Sequence, residues 1–137
     1  MTLPGSDEII EDLSFFDDWE QRYQYIIDLG KSLSPMTPED KTEERLVRGC
    51  QSSVWLKSTV QGEHLHFDVE SDAIIVNGLL ALVMAAYQDK SPAQILAFDI
   101  DGYFQALDLE RHISPTRGNG LRAIVGTIRN LASQPRQ

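Results

Sequence analysis

SVWLKSTVQGEHLHFDVESDAIIVNGLLALVMAAYQ, residues 53–88, sets two different periods back to back, and the change between them decides the fold. The first part, SVWLKSTV (53–60), is rich in β-branched side chains, which suit a pleated, half-buried surface. Gln61, Gly62 and Glu63 make a turn. Leu65, Phe67 and Val69 then alternate with His64, His66, Asp68 and Glu70. In a strand that alternation places the apolar side chains on one face and the polar ones on the other, so the stretch predicts a half-buried antiparallel hairpin. At residues 73–88 the alternation stops, and the segment is apolar nearly all the way round, as a helix in the middle of a core must be. Ser71 and Asp72 are available to cap it, and it is expected to pack across the apolar face of the hairpin.

Working outward toward the N-terminus, Trp19, Tyr23, Ile26, Ile27, Gly30 and Leu33 follow the spacing of one helical face. With Asp17 or Asp18 as a cap and Pro35 beyond the end, they predict a helix over about residues 18–31. A shorter helix over 7–13, capped by Ser6, should end near Phe15 and Phe16, with both aromatics packed under the long helix. Residues 33–44 hold two prolines and many acids and read as a loop. A third short strand around residues 45–48 would lie beside the hairpin. Toward the C-terminus, Ser91-Pro92 and Ser114-Pro115 are cap-plus-proline helix starts. They open a short helix through Phe98 and, after a Gly-rich turn at 118–120, a long one with the stripe Leu121, Ile124, Val125, Ile128, Leu131. The order of helices, strands and helices predicts an α+β fold, a small antiparallel three-stranded sheet packed against several helices.

The chain has 137 residues, of which 42% are apolar and 24% charged, which suits one domain over 1–137 with one core. A core of that size needs no disulfide, and a lone cysteine could not form one internally. The first residues, MTLPGSDEIIEDL, are acidic and fit no secretory or transit signal, so the expected address is the cytoplasm. The longest apolar run, residues 78–87, falls far short of the roughly 20 residues a membrane helix needs. Net charge is −9, all of it in residues 1–44, where 12 acids face 3 bases. Residues 45–137 hold 9 of each, and residues 111–137 contain five arginines and no acid. Such a chain lacks the broad basic footprint that nucleic acids demand, while its polarity is compatible either with an ordinary solvated surface or with an oriented protein partner.

Three places could carry chemistry. His64, His66 and Asp68 share a strand face, but no cysteine joins them, and an exposed strand face is polar for simpler reasons, so no metal is expected. Gly118-Asn119-Gly120, between Arg117 and Arg122, could receive an anion at a helix start, yet it matches no phosphate-binding pattern and reads better as a helix entry. Cys50 stands in Arg48-Gly49-Cys50-Gln51-Ser52-Ser53, a polar stretch between two expected strands where an inert core cysteine would have apolar neighbours. Gly49 lets the backbone turn tightly, the amides of residues 51–53 could face the sulfur, and Arg48 would favour the thiolate. Free cysteine also packs well as a small hydrophobe, so these residues alone leave a reactive and a structural thiol both open. Hydrolysis would need a histidine base within reach, for which His112 is the candidate outside the hairpin. A thiol that accepts and passes on a sulfur atom needs neither base nor resolving cysteine.

Over nearly its whole length the chain resembles the SufE family of sulfur-acceptor proteins. The resemblance is carried by Trp19-Glu20 with YQYIIDLG (23–30), by Gly49-Cys50-Gln51-Ser52 and Val54-Trp55, and by Ser71-Asp72-Ala73 leading into Ile75-Val76 and Gly78-Leu79. His112, Ser114-Pro115, Arg117 and Gly120-Leu121 complete it. It implies a SufE/IscU-like fold and a single SufE-like domain. It also implies that Cys50 takes persulfide sulfur from a pyridoxal-phosphate-dependent cysteine desulfurase of the SufS or CsdA type, stimulating it, and hands the sulfur to an iron-sulfur cluster scaffold or another acceptor. The alternative is an adaptor that regulates the desulfurase without relaying sulfur. Either way the protein would be a sulfur-transfer accessory more than a stand-alone enzyme, without a cofactor of its own, the pyridoxal phosphate belonging to its partner. Gly49, Gln51 and Ser52 would shape the loop, with Asp72 and Arg117 as supporting residues near it; Asp72 equally suits a helix cap and Arg117 a surface ion pair. Arg48 departs from the uncharged residue common there. A carried persulfide must be shielded, so Cys50 is expected to tuck partly toward the sheet, with Gly49 as the hinge that releases it.

Overall fold

A computed structural model describes residues 3–109 and 111–134. The hairpin forms as its alternation requires: β1 (Val54–Gln61) pairs antiparallel with β2 (His64–Ser71), from Val54 opposite Ser71 to Gln61 opposite His64. The two-residue connection has Gly62 at φ +63°, the left-handed conformation that such tight hairpin loops ask of a glycine. Val54, Leu56, Leu65, Phe67 and Val69 are buried on the inner face. Against them lies α3 (Ile74–Tyr87), whose Leu80, Ala81, Leu82 and Val83 are wholly removed from solvent.

The helix α2 (Trp19–Gly30) crosses α3 at a point where neither can carry a side chain. A Cβ on Gly78 would lie 2.5 Å from the Ile26 carbonyl oxygen, and one on Gly30 would lie 2.6 Å from the Gly78 nitrogen. Around this crossing pack α1 (Ser6–Ser14), α4 (Pro92–Ala97), α5 (Ile100–Ala106) and the long α6 (Pro115–Ser133), which buries Leu121, Ile124, Val125 and Ile128 as its spacing predicts. Among the described residues no helix is long and apolar enough to cross a membrane.

Several expectations need correction. The expected third strand is a single bridge, Leu46 to Trp55, with the Val47 N–H donating to the Val54 carbonyl at 2.8 Å, so the sheet has two strands. What precedes that bridge is pinned by ion pairs. Glu70 accepts from the Met36 N–H at 2.8 Å and from Lys41 at 2.9 Å, and Asp40 holds Lys57 at 3.2 Å and Arg45 at 3.6 Å. Salt bridges and one backbone bond therefore replace a full ladder. Ala73, not Ser71 or Asp72, occupies the cap position of α3. The Ser71 hydroxyl accepts the Ala73 N–H, and the Asn77 amide both accepts from Ser71 N–H at 2.8 Å and donates to its carbonyl at 3.0 Å. Ser6 lies inside α1, whose cap is Gly5. Phe16 packs beside Tyr25 as expected, with ring centroids 5.8 Å apart, but Phe15 is 74% exposed. The glycines at 118 and 120 belong to α6 itself, which begins at Pro115 behind the Ser114 cap. Sequence periodicity also passes over α5, although Asp99 caps it by accepting the Gly102 N–H at 3.0 Å.

Candidate functional site

The pinned segment 36–47 ends in a turn at Arg48 and Gly49 that delivers Cys50 onto α6. Gly49 has φ +94°, a conformation that side chains other than glycine's strongly resist, and a Cβ there would come within 3.1 Å of the Ala123 side chain. Cys50 follows, half-buried, its thiol donating to the carbonyl oxygen of Gly120 at 3.5 Å. Residue 120 faces the thiol, and a Cβ there would make an ordinary contact with the sulfur at 3.5 Å.

Beside the sulfur opens a cleft of about 250 Å³ between the loop, α3 and the start of α6. Gln51, Ser52 and Arg117 line it together with Cys50, so four of the six residues singled out in the sequence meet there. Gly49 stands just behind, against Ala123. Asp72 does not line the cleft. Its N–H donates to the Ser53 carbonyl at 3.3 Å, which ties the exit of β2 to the end of the loop, and the residue is exposed. The apolar wall comes from Val76 and Leu79 of α3, and Thr116 and the Ser114 cap border the other side. Gly120, read in the sequence as part of a helix-entry turn, lies inside α6 and is the residue whose carbonyl meets the thiol.

The electrostatics differ from expectation. Burial pushes the Cys50 thiol above its ordinary pKa, so the folded protein holds it as a protonated thiol near neutral pH. Arg48 is exposed, and desolvation, not a neighbouring cation, governs the group. The thiol leans on α6 where the sheet was expected. His112 does not border the cleft. Its ring stacks on Trp19 with centroids 3.8 Å apart, its backbone carbonyl accepts from the Tyr23 hydroxyl, and its Nε2 lies 3.6 Å from Asp108. It braces the approach to α6 against α2 and is placed as no general base for Cys50. On the hairpin, His66 sits between Asp89 at 2.7 Å and Asp68 at 3.5 Å, and among the described residues no three potential ligands converge on a metal position.

A two-stranded α+β scaffold that presents one partly desolvated thiol, from a loop that turns at Gly49, at the mouth of a cleft defines a thiol-presenting protein. The sequence signature described as SufE, Fe-S metabolism associated domain, matches residues 7–132, and the chain belongs to that family. An uncharacterized SufE-like protein of Rhizobium etli is 43% identical over 134 residues, covering 95% of this chain and 90% of its own length. Another from Rhizobium meliloti is 42% identical over 134 residues, covering 95% and 96% respectively. The solution structure of a hypothetical protein from Thermus thermophilus shares the fold, with a TM-score of 0.76 at 21% identity over 96% of both chains.

Proposed function

We propose that Cys50 is a sulfur carrier in the cytoplasm: it receives sulfane sulfur from the persulfide of a pyridoxal-phosphate-dependent cysteine desulfurase, stimulating that enzyme, and passes it to an iron-sulfur scaffold. The observation that carries this reading is the placement of the chain's only cysteine on a loop that turns at Gly49 beside a cleft, with no histidine base at hand. Family membership in iron-sulfur metabolism supports it.

The step balances without an outside oxidant. The Cys50 thiolate attacks the outer sulfur of the donor persulfide, the donor's S–S bond breaks, and the donor cysteine leaves as a thiolate while Cys50 becomes a persulfide. An acceptor thiolate on the scaffold then takes the outer sulfur by the same exchange. One added sulfur atom needs about the room of a water molecule, roughly 30 Å³, so the cleft accommodates it between transfers. In the niche the thiol is a poor nucleophile, because burial favours its protonated form. Docking that draws the loop out at Gly49 returns it to water and raises the thiolate fraction.

Desulfurase turnover with wild-type protein and with Cys50→Ser tests the reading. A carrier loses its stimulation of cysteine desulfuration with the serine variant. An adaptor that regulates without relaying keeps it, and that result would replace this reading.

A further inference from the structure

The charges around the thiol have the opposite sign to the molecule as a whole. In the cleft at Cys50 the one charged side chain among the described lining residues is Arg117. Arg48 is exposed on the loop itself, two residues before the thiol, and residues 111–134 include no acid. A hollow elsewhere, between residues 32–34 and β2, shows the contrast, with Asp68, Asp89, His66 and Lys90 in its wall. Of the acids on the loop's approach, Asp40 and Glu70 are engaged by Lys57, Arg45 and Lys41, while Glu39, Glu43 and Glu44 are exposed upstream of Arg48. Asp72 is the acid that stands beside the loop, fastened through its backbone to Ser53.

We propose that this cationic rim is the docking surface for the protein that exchanges sulfur with Cys50, that the partner's reactive cysteine is set among carboxylates, and that Arg48, riding on the loop, determines specificity. What the partner does rests on the carrier reading above; the field at the thiol does not. A body of net charge −9 repels an acidic partner from most directions. A local reversal of sign at the thiol leaves favourable only the approach that brings the two cysteines together, and such complementarity fixes register and raises the encounter rate. The guanidinium of Arg48 enters the interface with the sulfur when the loop moves, whereas Arg117 stays on α6.

Two small aromatic disulfides read the field on the intact protein: dianionic dithiobisnitrobenzoate and neutral dithiodipyridine. In each reaction the Cys50 thiolate attacks a probe sulfur, the probe's S–S bond breaks, an aromatic thiolate leaves, and Cys50 ends in a mixed disulfide. Thiolate fraction and loop opening enter both rates equally, so their ratio isolates the charge near the sulfur. The anionic-to-neutral ratio should fall about threefold or more between about 20 mM and about 500 mM salt, as screening shortens from roughly 20 Å to a few ångströms. Arg48→Glu should lower the low-salt ratio by a similar factor, and Arg48→Lys should preserve it. A ratio indifferent to salt and to Arg48→Glu overturns the rim. The docking claim is read as sulfur transfer onto Cys50 from a persulfide-loaded desulfurase: Arg48→Glu should slow it several-fold and Arg48→Lys restore it. A charged rim with transfer unaffected by Arg48→Glu overturns the docking surface alone. Wild-type protein that accepts no sulfur overturns the carrier reading, and the docking surface falls with it, while the probe ratio still reports the rim.

Discussion

Two glycine-mediated contacts in this molecule look alike and do opposite work. Where α2 crosses α3, Gly30 and Gly78 let two backbones meet so closely that an added Cβ would fall 2.5–2.8 Å from main-chain atoms. Where the Cys50 loop meets α6, Gly120 leaves an opening in which an added Cβ would make an ordinary 3.5 Å contact with the sulfur. The first contact is closed on both sides by atoms that cannot shift without moving a helix. The second is closed on one side by the loop that carries Cys50. Glycine at the crossing builds the fold, and glycine at the niche lies beside the thiol where a methyl group would also fit.

Substituting each glycine is the direct way to break that comparison. Gly78→Ala should be the most damaging, because overpacking against the Ile26 backbone costs on the order of 1–3 kcal/mol or more, and thermal melting should show a marked loss. A melting temperature unchanged by this variant would mean that the crossing has slack. Gly49→Ala comes next. Holding alanine at φ +94° against Ala123 should cost about 1–2 kcal/mol, and because the strain is local, the rate of Cys50 alkylation should rise more than the melting temperature falls. Glu70→Gln tests the ion pairs that pin the chain upstream of the loop. Lys41 and the Met36 amide hold the Glu70 carboxyl below its ordinary pKa, so its contribution is present above the unfolded-state value and is lost as pH falls through the lower folded one. Acid titrations of stability should therefore show a shallower decline in the variant, by less than about 1 kcal/mol for so solvent-accessible a pair. Gly120→Ala should be nearly neutral or slightly stabilising, since alanine gains up to about 1 kcal/mol over glycine within a helix. A large destabilisation there would erase the distinction between the two contacts.

The crossing and the niche also differ in how far the sequence reveals them. The stretch at residues 53–88 announces its hairpin and buried helix because both are written in periodicity, and the buried stripe of α6 is read the same way. Cys50, Gln51, Ser52 and Arg117 were legible through local composition and family resemblance, and they do meet at one cleft. What was not legible depends on contacts distant in sequence. Gly78 reads as one more small residue in an apolar helix until Ile26 is seen beside it. The rise in the Cys50 pKa comes from burial against α6, some seventy residues away, while the neighbouring Arg48, whose charge promised a thiolate, is exposed to solvent and leaves burial to decide. Residues 45–48 have the composition of a strand, but the ion pairs of Asp40 and Glu70 take the place of the ladder, and one bridge suffices. Asp72 was sound as a candidate cap and serves neither as cap nor as cleft wall.

The niche matters only if something is carried there, and intact-mass measurement after incubation with a cysteine desulfurase and cysteine asks that question most directly. A sulfur carrier should gain about 32 Da, one sulfur exchanged onto the thiol, in an increment that maps to the Cys50 peptide, disappears on reduction and is absent from Cys50→Ser. Unmodified Cys50 under conditions in which the desulfurase is turning over would contradict it.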